Sequence, residues 1–256
     1  MSSNVLSSEK GSYIPAIIGG TGLNSLEGSA VAVSSEAPYG AFSGALTRSE
    51  YKGVAFYFLP RHGAGHHLAP HLINYRANIW ALKQQGVSHI IAVNAVGGIH
   101  PDMTSGCLVV PDQLIDYSYG REQSFFDGRN QPLQHVDFSF PFSELLRQQI
   151  LSSAGRLGLS CCDGGVYAVT QGPRLETAAE IHRLRNDGAD IVGMTAMPEA
   201  VLARELNINY ASLCLVVNPA AGVSDELITL AQMQHVIRDK MADVKAIIYQ
   251  LLSDCG

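Results

Sequence analysis

Four short stretches carry residue types suited to holding an anion beside a heterocycle. Gly19-Gly20-Thr21-Gly22 follows the apolar run Tyr13 to Ile18. Such a glycine-rich turn offers backbone N–H groups, and here the Thr21 hydroxyl, to an oxyanion. Arg61-His62 follows the apolar run Val54 to Leu59 directly. Arginine brings a planar fork of donors and a permanent charge suited to phosphate, and His62 is expected to add a second donor beside it. Gly193-Met194-Thr195-Ala196-Met197-Pro198-Glu199 reads as strand, turn and helix start. Thr195 then sits near a helix N-terminus, where free N–H groups and the dipole favour an anion. A plain helix cap at Thr195 explains the same pattern, and Glu199 in the first turn suits the dipole with no further role. Gln171 to Thr177 (QGPRLET) follows another strand. Its Glu176 is either a solvated cap or an acceptor for a ring N–H of a heterocycle.

Two competing chemistries fit less well. IIGGTGL matches the dinucleotide-binding fingerprint only loosely, because the third glycine and the immediate helix are missing. His62, His66, His67 and His71 stand close in sequence. They lack the glutamate of a zinc-protease motif, and glycine and proline interrupt any helix through them, so no metal is expected.

The elements that must position these residues follow from periodicity. His89 to Ile99 (HIIAVNAVGGI) reads as a buried strand interrupted by Asn94 and closed by a Gly97-Gly98 turn. Ligands in open α/β sheets bind beyond the carboxyl ends of such strands. Further strands are expected near Val31, Ala41–Leu46, Val54–Leu59, Cys107–Val110, Leu114–Ile115, Gly165–Thr170, Ala189–Val192 and Ile208–Val217. Helices are expected over Asn74–Gln84, Phe142–Ala154 (ended by Gly155), Ala178–Arg185, Pro198–Glu205 and Leu230–Leu252. Pro198 occupies a favoured first-turn position. Tyr117 to Phe140 is long for a loop, and such loops are often functional. Strands alternating with helices give an α/β class with a parallel or mixed sheet. Residues 1–12 read as a flexible polar arm and 13–256 as one domain.

Composition narrows the class. The chain has 256 residues, 46% of them hydrophobic, and a formal net charge of −6. No lysine–arginine cluster stands out, so neither nucleic acid nor an anionic membrane is an expected partner. The five cysteines show no CxxC spacing and mostly border apolar runs, as reduced buried cysteines do. The N-terminus lacks a signal-like apolar core, and no apolar run is long enough to span a bilayer. A reduced cytoplasmic enzyme is the expected class.

Taken together and in this order, IGGTGL, RHG, NYRANIWALK, NAVGGI, SFFDG, HVDFSFPF, QGPRLETAAE and GMTAMPEAVLARE resemble the trimeric purine nucleoside phosphorylase and methylthioadenosine phosphorylase family. The resemblance runs from about Ile14 to Val217. It implies the nucleoside phosphorylase fold, a mixed, twisted, partly barrel-like central sheet surrounded by helices. It also implies a cytoplasmic homotrimer without metal or organic cofactor, and phosphorolysis of a purine nucleoside with inorganic phosphate as co-substrate. Position by position, phosphate would be held by Thr21, Arg61, His62, Asn94, Ala95 and Thr195. The ribose would lie over Met194, and the base would face Glu176 and Asn218, with Leu175 and Ala220 beside them. His135 would reach the 5′ region from a neighbouring subunit. Asn218, His62 and Thr195 would carry the catalytic roles.

The resemblance is hybrid. RHG and ANIWALK look like the methylthioadenosine branch, whereas NAVGGI, HVDFSF and LETAAE look like the 6-oxopurine branch. Where the methylthioadenosine branch has two aspartates, this chain has Asn218 and Ala220. That combination is similar to the bacterial enzymes acting on S-methyl-5′-thioinosine, which implies release of hypoxanthine and 5-methylthioribose 1-phosphate. Inosine, guanosine and methylthioadenosine are the alternative substrates. Leu227, Ile228, Leu230 and Met233 are expected to bring apolar side chains to the 5′ end. A nucleoside hydrolase would need an activated water and usually a metal, and no acidic cluster is apparent. A non-catalytic nucleoside-binding protein would need no phosphate.

Overall fold

Strand β5 (His89–Gly98) lies at the branch point of an eleven-stranded mixed sheet. One of its edges pairs in parallel with β1 (Pro15–Gly19), which pairs in parallel with β4 (Val54–Pro60). Antiparallel β3 (Thr47–Tyr51) and β2 (Val31–Ala32) extend that side. The last residues of β5 pair antiparallel with β10 (Ile191–Gly193), beyond which lie β9 (Val166–Val169) and β7 (Gln113–Asp116). β11 (Asn209–Pro219) runs parallel to β5 along its whole length and carries β6 (Leu108–Val110) and β8 (Cys161–Asp163). This is a computed structural model, and it describes residues 13–27, 31–33, 38–129 and 131–254. The expected arm over 1–12 lies outside the described residues.

Period-two alternation sorts the strands between two cores. Ala16 and Ile18, Tyr57 and Leu59, Ile90 and Ala92 point to one face. There they meet Ile79 and Leu82 of α1 (Tyr75–Gln84) and Ala200 and Ala203 of α4 (Ala196–Glu205). Ile17, Phe56, Phe58, Ile91 and Val93 point to the other face, against Leu146 and Ile150 of α2 (Glu144–Arg156) and the inner stripe of α5 (Leu230–Asp254). That stripe is Met241, Val244, Ile247, Ile248, Leu251 and Leu252, spaced at three and four residues. Burying each such side chain is worth roughly 1.5–3 kcal/mol, so packing rather than intrinsic propensity holds α5 in place. The fifth helix, α3 (Ala178–Asn186), opens with a capping box between Thr177 and Glu180.

Four expectations are corrected. Gly97-Gly98 is not a turn; β5 continues through both glycines. A Cβ on Gly98 would lie 1.9 Å from the Met103 carbonyl oxygen, so the glycine permits a close backbone crossing. Asn94 consequently does not interrupt the strand and lies inside it. Ala41–Leu46 is loop, and the strand there is β3, starting at Thr47. Gly155 lies within α2, and the chain leaves the helix at Gly158, whose φ of +68° suits glycine. The three-residue strand β8 was not anticipated.

Candidate active site

Parallel register brings the first two stretches to one edge beside β5, and the antiparallel pairing of β10 with β5 runs the third back along β5, so that Thr195 meets Asn94. Gly19 pairs with Pro60 and Ile18 with Ala92, so the residues that follow each pair emerge side by side. They open into a cavity of about 440 Å³. Thr21, Arg61, His62, Asn94, Ala95, Met194, Thr195, Leu175, Glu176, Asn218 and Ala220, eleven of the twelve sequence-predicted positions, line it. The twelfth, His135, is exposed on the 117–140 loop and does not line the cavity of the single chain.

Arg61 is 1% exposed, and its three nitrogens have distinct fates. Nε donates to both Glu199 oxygens, at 2.8 and 2.9 Å, and Nη1 donates to the Val93 carbonyl at 2.8 Å. Nη2 is buried and has no hydrogen-bond partner among the described residues. Burial works against charge on the guanidinium, but the Glu199 carboxylate more than offsets this and raises its pKa. Burial in turn raises the pKa of Glu199, with Arg61 opposing. Gly20 makes this fit possible, because a Cβ there would lie 2.7 Å from Nη1 and 2.3 Å from the Val93 oxygen.

Thr195 does not act as a side-chain cap. Met197 has extended dihedrals (φ −111°, ψ 139°), so the regular helix begins at Pro198. The Thr195 hydroxyl oxygen instead accepts from Asn94 Nδ2 at 2.9 Å, which leaves its own hydrogen available to the cavity. Asn94 Oδ1 is buried without a hydrogen-bond partner among the described residues.

His62 departs from the role read in the sequence. Its Nδ1 lies 2.8 Å from the Leu68 carbonyl, an atom that can only accept, so Nδ1 carries the hydrogen. Burial and the adjacent Arg61 charge lower its pKa to about 4, keeping the ring neutral near pH 7. Neutral His62 therefore presents Nε2 as an acceptor, not as a second donor. The neighbouring His66 ring lies 4.4 Å away, centroid to centroid.

On the opposite wall, Thr170 Oγ1 donates to Glu176 Oε1 at 2.6 Å, which orients the carboxylate and leaves Oε2 for another donor. The β11–β5 register slips between Val216 and Asn218, and this bulge turns Asn218 toward the cavity. Asn218 Nδ2 donates to the Pro219 carbonyl at 2.6 Å. Ile228, Leu230 and Met233 line the cavity, whereas Leu227 is 87% exposed and does not.

The sequence pattern of the phosphorylase superfamily matches residues 16–253. The chain belongs to the phosphorylase superfamily. Within it, a Pseudomonas syringae pv. tomato protein named probable S-methyl-5′-thioinosine phosphorylase is 55% identical over 240 residues, covering 93% of this chain and 98% of that one. A Pyrococcus furiosus protein named 6-oxopurine nucleoside phosphorylase is 45% identical over 196 residues, covering 75% of this chain and 74% of that one. Among solved structures, methylthioadenosine phosphorylase from Schistosoma mansoni in complex with adenine aligns with a TM-score of 0.88 at 30% identity, covering 94% and 91% of the two chains.

Two structural contributors to this superfamily member's cavity escaped the sequence reading. Glu199 appeared only as a dipole-compatible acid, yet it holds Arg61. Arg121, on a loop with no periodic pattern, donates to carbonyls on two cavity-lining segments. Nothing in the local sequence marks either role, because each depends on a partner many residues away.

Proposed function

We propose that the chain cleaves S-methyl-5′-thioinosine with inorganic phosphate, giving hypoxanthine and 5-methylthioribose 1-phosphate. The observation that carries this reading is the convergence in one cavity of an anion-type donor set with Glu176 and Asn218. The name carried by the 55% identical relative supports the same substrate.

Phosphate sits against Arg61 Nη2 and the Thr195 and Thr21 hydroxyls, beneath the sugar. Cleavage of the glycosidic bond leaves positive charge on the ribose and negative charge on the purine. The phosphate anion stabilises the first and then bonds to the anomeric carbon. Glu176 Oε2 accepts the ring N–H of the 6-oxopurine, and an Asn218 amide hydrogen meets the growing negative charge on the base. This is positioning and electrostatic stabilisation, with no covalent enzyme intermediate. Hydrogen phosphate dianion carries one hydrogen, and the released purine gains one. In this scheme His62 Nε2 accepts that proton from the phosphate before it reaches the base. Ala95 supplies backbone to the phosphate side. Met194 lies under the ribose, and Leu175 and Ala220 flank the base.

Ile228, Leu230 and Met233 favour a methylthio group over a hydroxyl, since a buried hydroxyl without a partner is costly. The similarity to a protein named 6-oxopurine nucleoside phosphorylase keeps inosine and guanosine as a second reading. No cofactor beyond the co-substrate phosphate enters the scheme. A cytoplasmic homotrimer is part of the proposal. The 117–140 loop exposes Tyr119 and Phe140 at 70% and 73%, and aromatic residues are enriched in interfaces. His135 on that loop would then serve a neighbouring cavity. Phe125 on the same loop is buried against Tyr39 and Trp80 of its own chain and is not available to an interface.

The test is release of free base from methylthioinosine, inosine and methylthioadenosine, with and without phosphate. Equal turnover in phosphate-free buffer would replace this reading with hydrolysis. Binding without release would leave a nucleoside-binding protein.

A further inference from the structure

The β9–β10 ladder ends where the Thr170 N–H donates to the Gly193 carbonyl at 2.8 Å. Beyond that bond the strand pairing ends and the two segments run on without it. One runs through Gln171 and Pro173 to Glu176, and the other through Met194 and Thr195 into α4. Arg121 spans the fork. Its Nη1 donates to the Met194 carbonyl at 2.8 Å and the Met197 carbonyl at 2.6 Å. Its Nη2 donates to the Gln171 carbonyl at 2.9 Å and the Thr170 carbonyl at 3.2 Å. Nε reaches the Gln171 side-chain oxygen at 3.3 Å.

We propose that Arg121 is a positioning residue that fixes the separation of the Glu176 segment from the Met194–Thr195 segment, and so sets how tightly the nucleoside is held. The inference rests on the phosphorolysis reading above, in which these segments face the base and the ribose. Three further observations support it. Among the described residues, the hydrogen-bond partners of Arg121 are carbonyl, hydroxyl and side-chain amide oxygens, with no carboxylate, so its charge is directed at loop backbone rather than at an ion pair. The two segments are in close contact: a Cβ on Gly172 would lie 2.4 Å from Met194 Sδ, and Gly172 has a φ of +62°. Finally, the guanidinium lies 5.6 Å from the Tyr75 ring centroid, and the Tyr75 hydroxyl donates to the carbonyl of Pro70, a third part of the cavity wall.

A guanidinium can do this because its donors diverge in one plane, and a lysine ammonium cannot bridge the same carbonyls. Removing it leaves several carbonyls without their charged donor, and the fork relaxes. Phosphate depends mainly on Arg61 and Thr21, which follow other strands, and Thr195, although it follows β10, is tied separately to Asn94 of β5. A merely structural role would lower the melting temperature without separating the two substrates.

The experiment measures KM for methylthioinosine and for phosphate separately, in wild type, Arg121→Lys and Arg121→Ala, the last with and without millimolar guanidinium. The expected result is a rise in nucleoside KM of about tenfold or more in both variants, with phosphate KM changed by less than about threefold. Guanidinium should lower the nucleoside KM of Arg121→Ala and leave that of Arg121→Lys unchanged. Nucleoside KM at the wild-type value in the variants, or a parallel rise in both KM values, overturns the positioning role. If Arg121→Ala fails to fold, Arg121→Lys alone decides, by the same KM split. A wild type that releases no base with phosphate would overturn the functional reading itself, an outcome distinct from these.

Discussion

The Glu199 carboxylate grips Arg61 through Nε, at 2.8 and 2.9 Å, rather than through the end of the guanidinium. With Nη1 donating to the Val93 carbonyl, Nη2 is the nitrogen of Arg61 without a partner among the described residues. The phosphate contact proposed for Arg61 therefore centres on Nη2, in an orientation fixed in advance by Glu199 and Val93. The same pairing makes Arg61 structural. Arg61→Ala leaves a carboxylate buried and unpaired, which typically costs about 3–5 kcal/mol. We expect Arg61→Ala both to raise phosphate KM sharply and to lower stability in urea. Arg61→Met with Glu199→Leu should recover much of the stability and none of the phosphate affinity. A double variant as unstable as Arg61→Ala would contradict this account.

His62 gives stability a pH dependence whose sign follows from its neutral burial. Its folded pKa is about 4, against about 6.5 for a free histidine. Above the higher value neither state binds the proton. As pH falls through the interval, the unfolded chain is protonated and the folded chain is not, so stability is lost. The loss approaches ~3 kcal/mol at the acid end. Urea unfolding of wild type and His62→Gln between pH 7 and about 4 should show wild type losing stability relative to the variant as pH falls. A constant difference would mean that His62 is not held neutral.

The sequence revealed the elements and the edge where the site lies better than the roles within it. Apolar runs located most strands, and residues placed directly after them, such as Arg61 and Thr195, do reach the cavity. Period-two alternation could not show that β5 continues through Gly97 and Gly98, because a glycine pair that permits a crossing looks like one that makes a turn. The role of His62 depended on which ring nitrogen meets the Leu68 carbonyl, a tertiary fact. Glu199 and Arg121 act on partners 138 and 73 residues away, beyond any local pattern.

Two glycines should respond oppositely to alanine. At Gly98 the methyl would collide with the Met103 carbonyl, and overpacking of this kind costs roughly 1–3 kcal/mol. At Gly155, inside α2, a Cβ meets nothing within 4 Å. Gly155→Ala should gain up to about 1 kcal/mol through helix propensity. Thermal melts of both variants check the pair, and a neutral Gly98→Ala would undercut the close crossing.

Base preference rests on Glu176 and Asn218 together. Hypoxanthine presents a ring N–H, which the Glu176 oxygen not engaged by Thr170 can accept. It also presents acceptors at the 6-oxygen and in the five-membered ring, toward which Asn218 can donate the amide hydrogen not spent on Pro219. Adenine offers no ring N–H at neutral pH and would set a ring acceptor against the carboxylate. Mismatches of that kind in a hydrogen-bonding site can cost several kcal/mol. Rejection by Asn218 alone is incomplete, because an amide can turn either face to the base. Asn218→Asp removes both hydrogens, so it repels the 6-oxygen and accepts from a 6-amino group. It also loses the bond to the Pro219 carbonyl, so absolute rates should fall even as preference shifts. Ala220, 3% exposed beside the base wall, is the second position, and Ala220→Asp combined with Asn218→Asp should extend the shift. The measurement is the ratio of kcat/KM for methylthioinosine to that for methylthioadenosine. We expect it to exceed one in wild type and to fall in Asn218→Asp by about tenfold or more, the scale of one charged hydrogen bond gained or lost. A wild type that prefers methylthioadenosine would place the chain's specificity on the 6-amino side and remove Asn218 as its determinant.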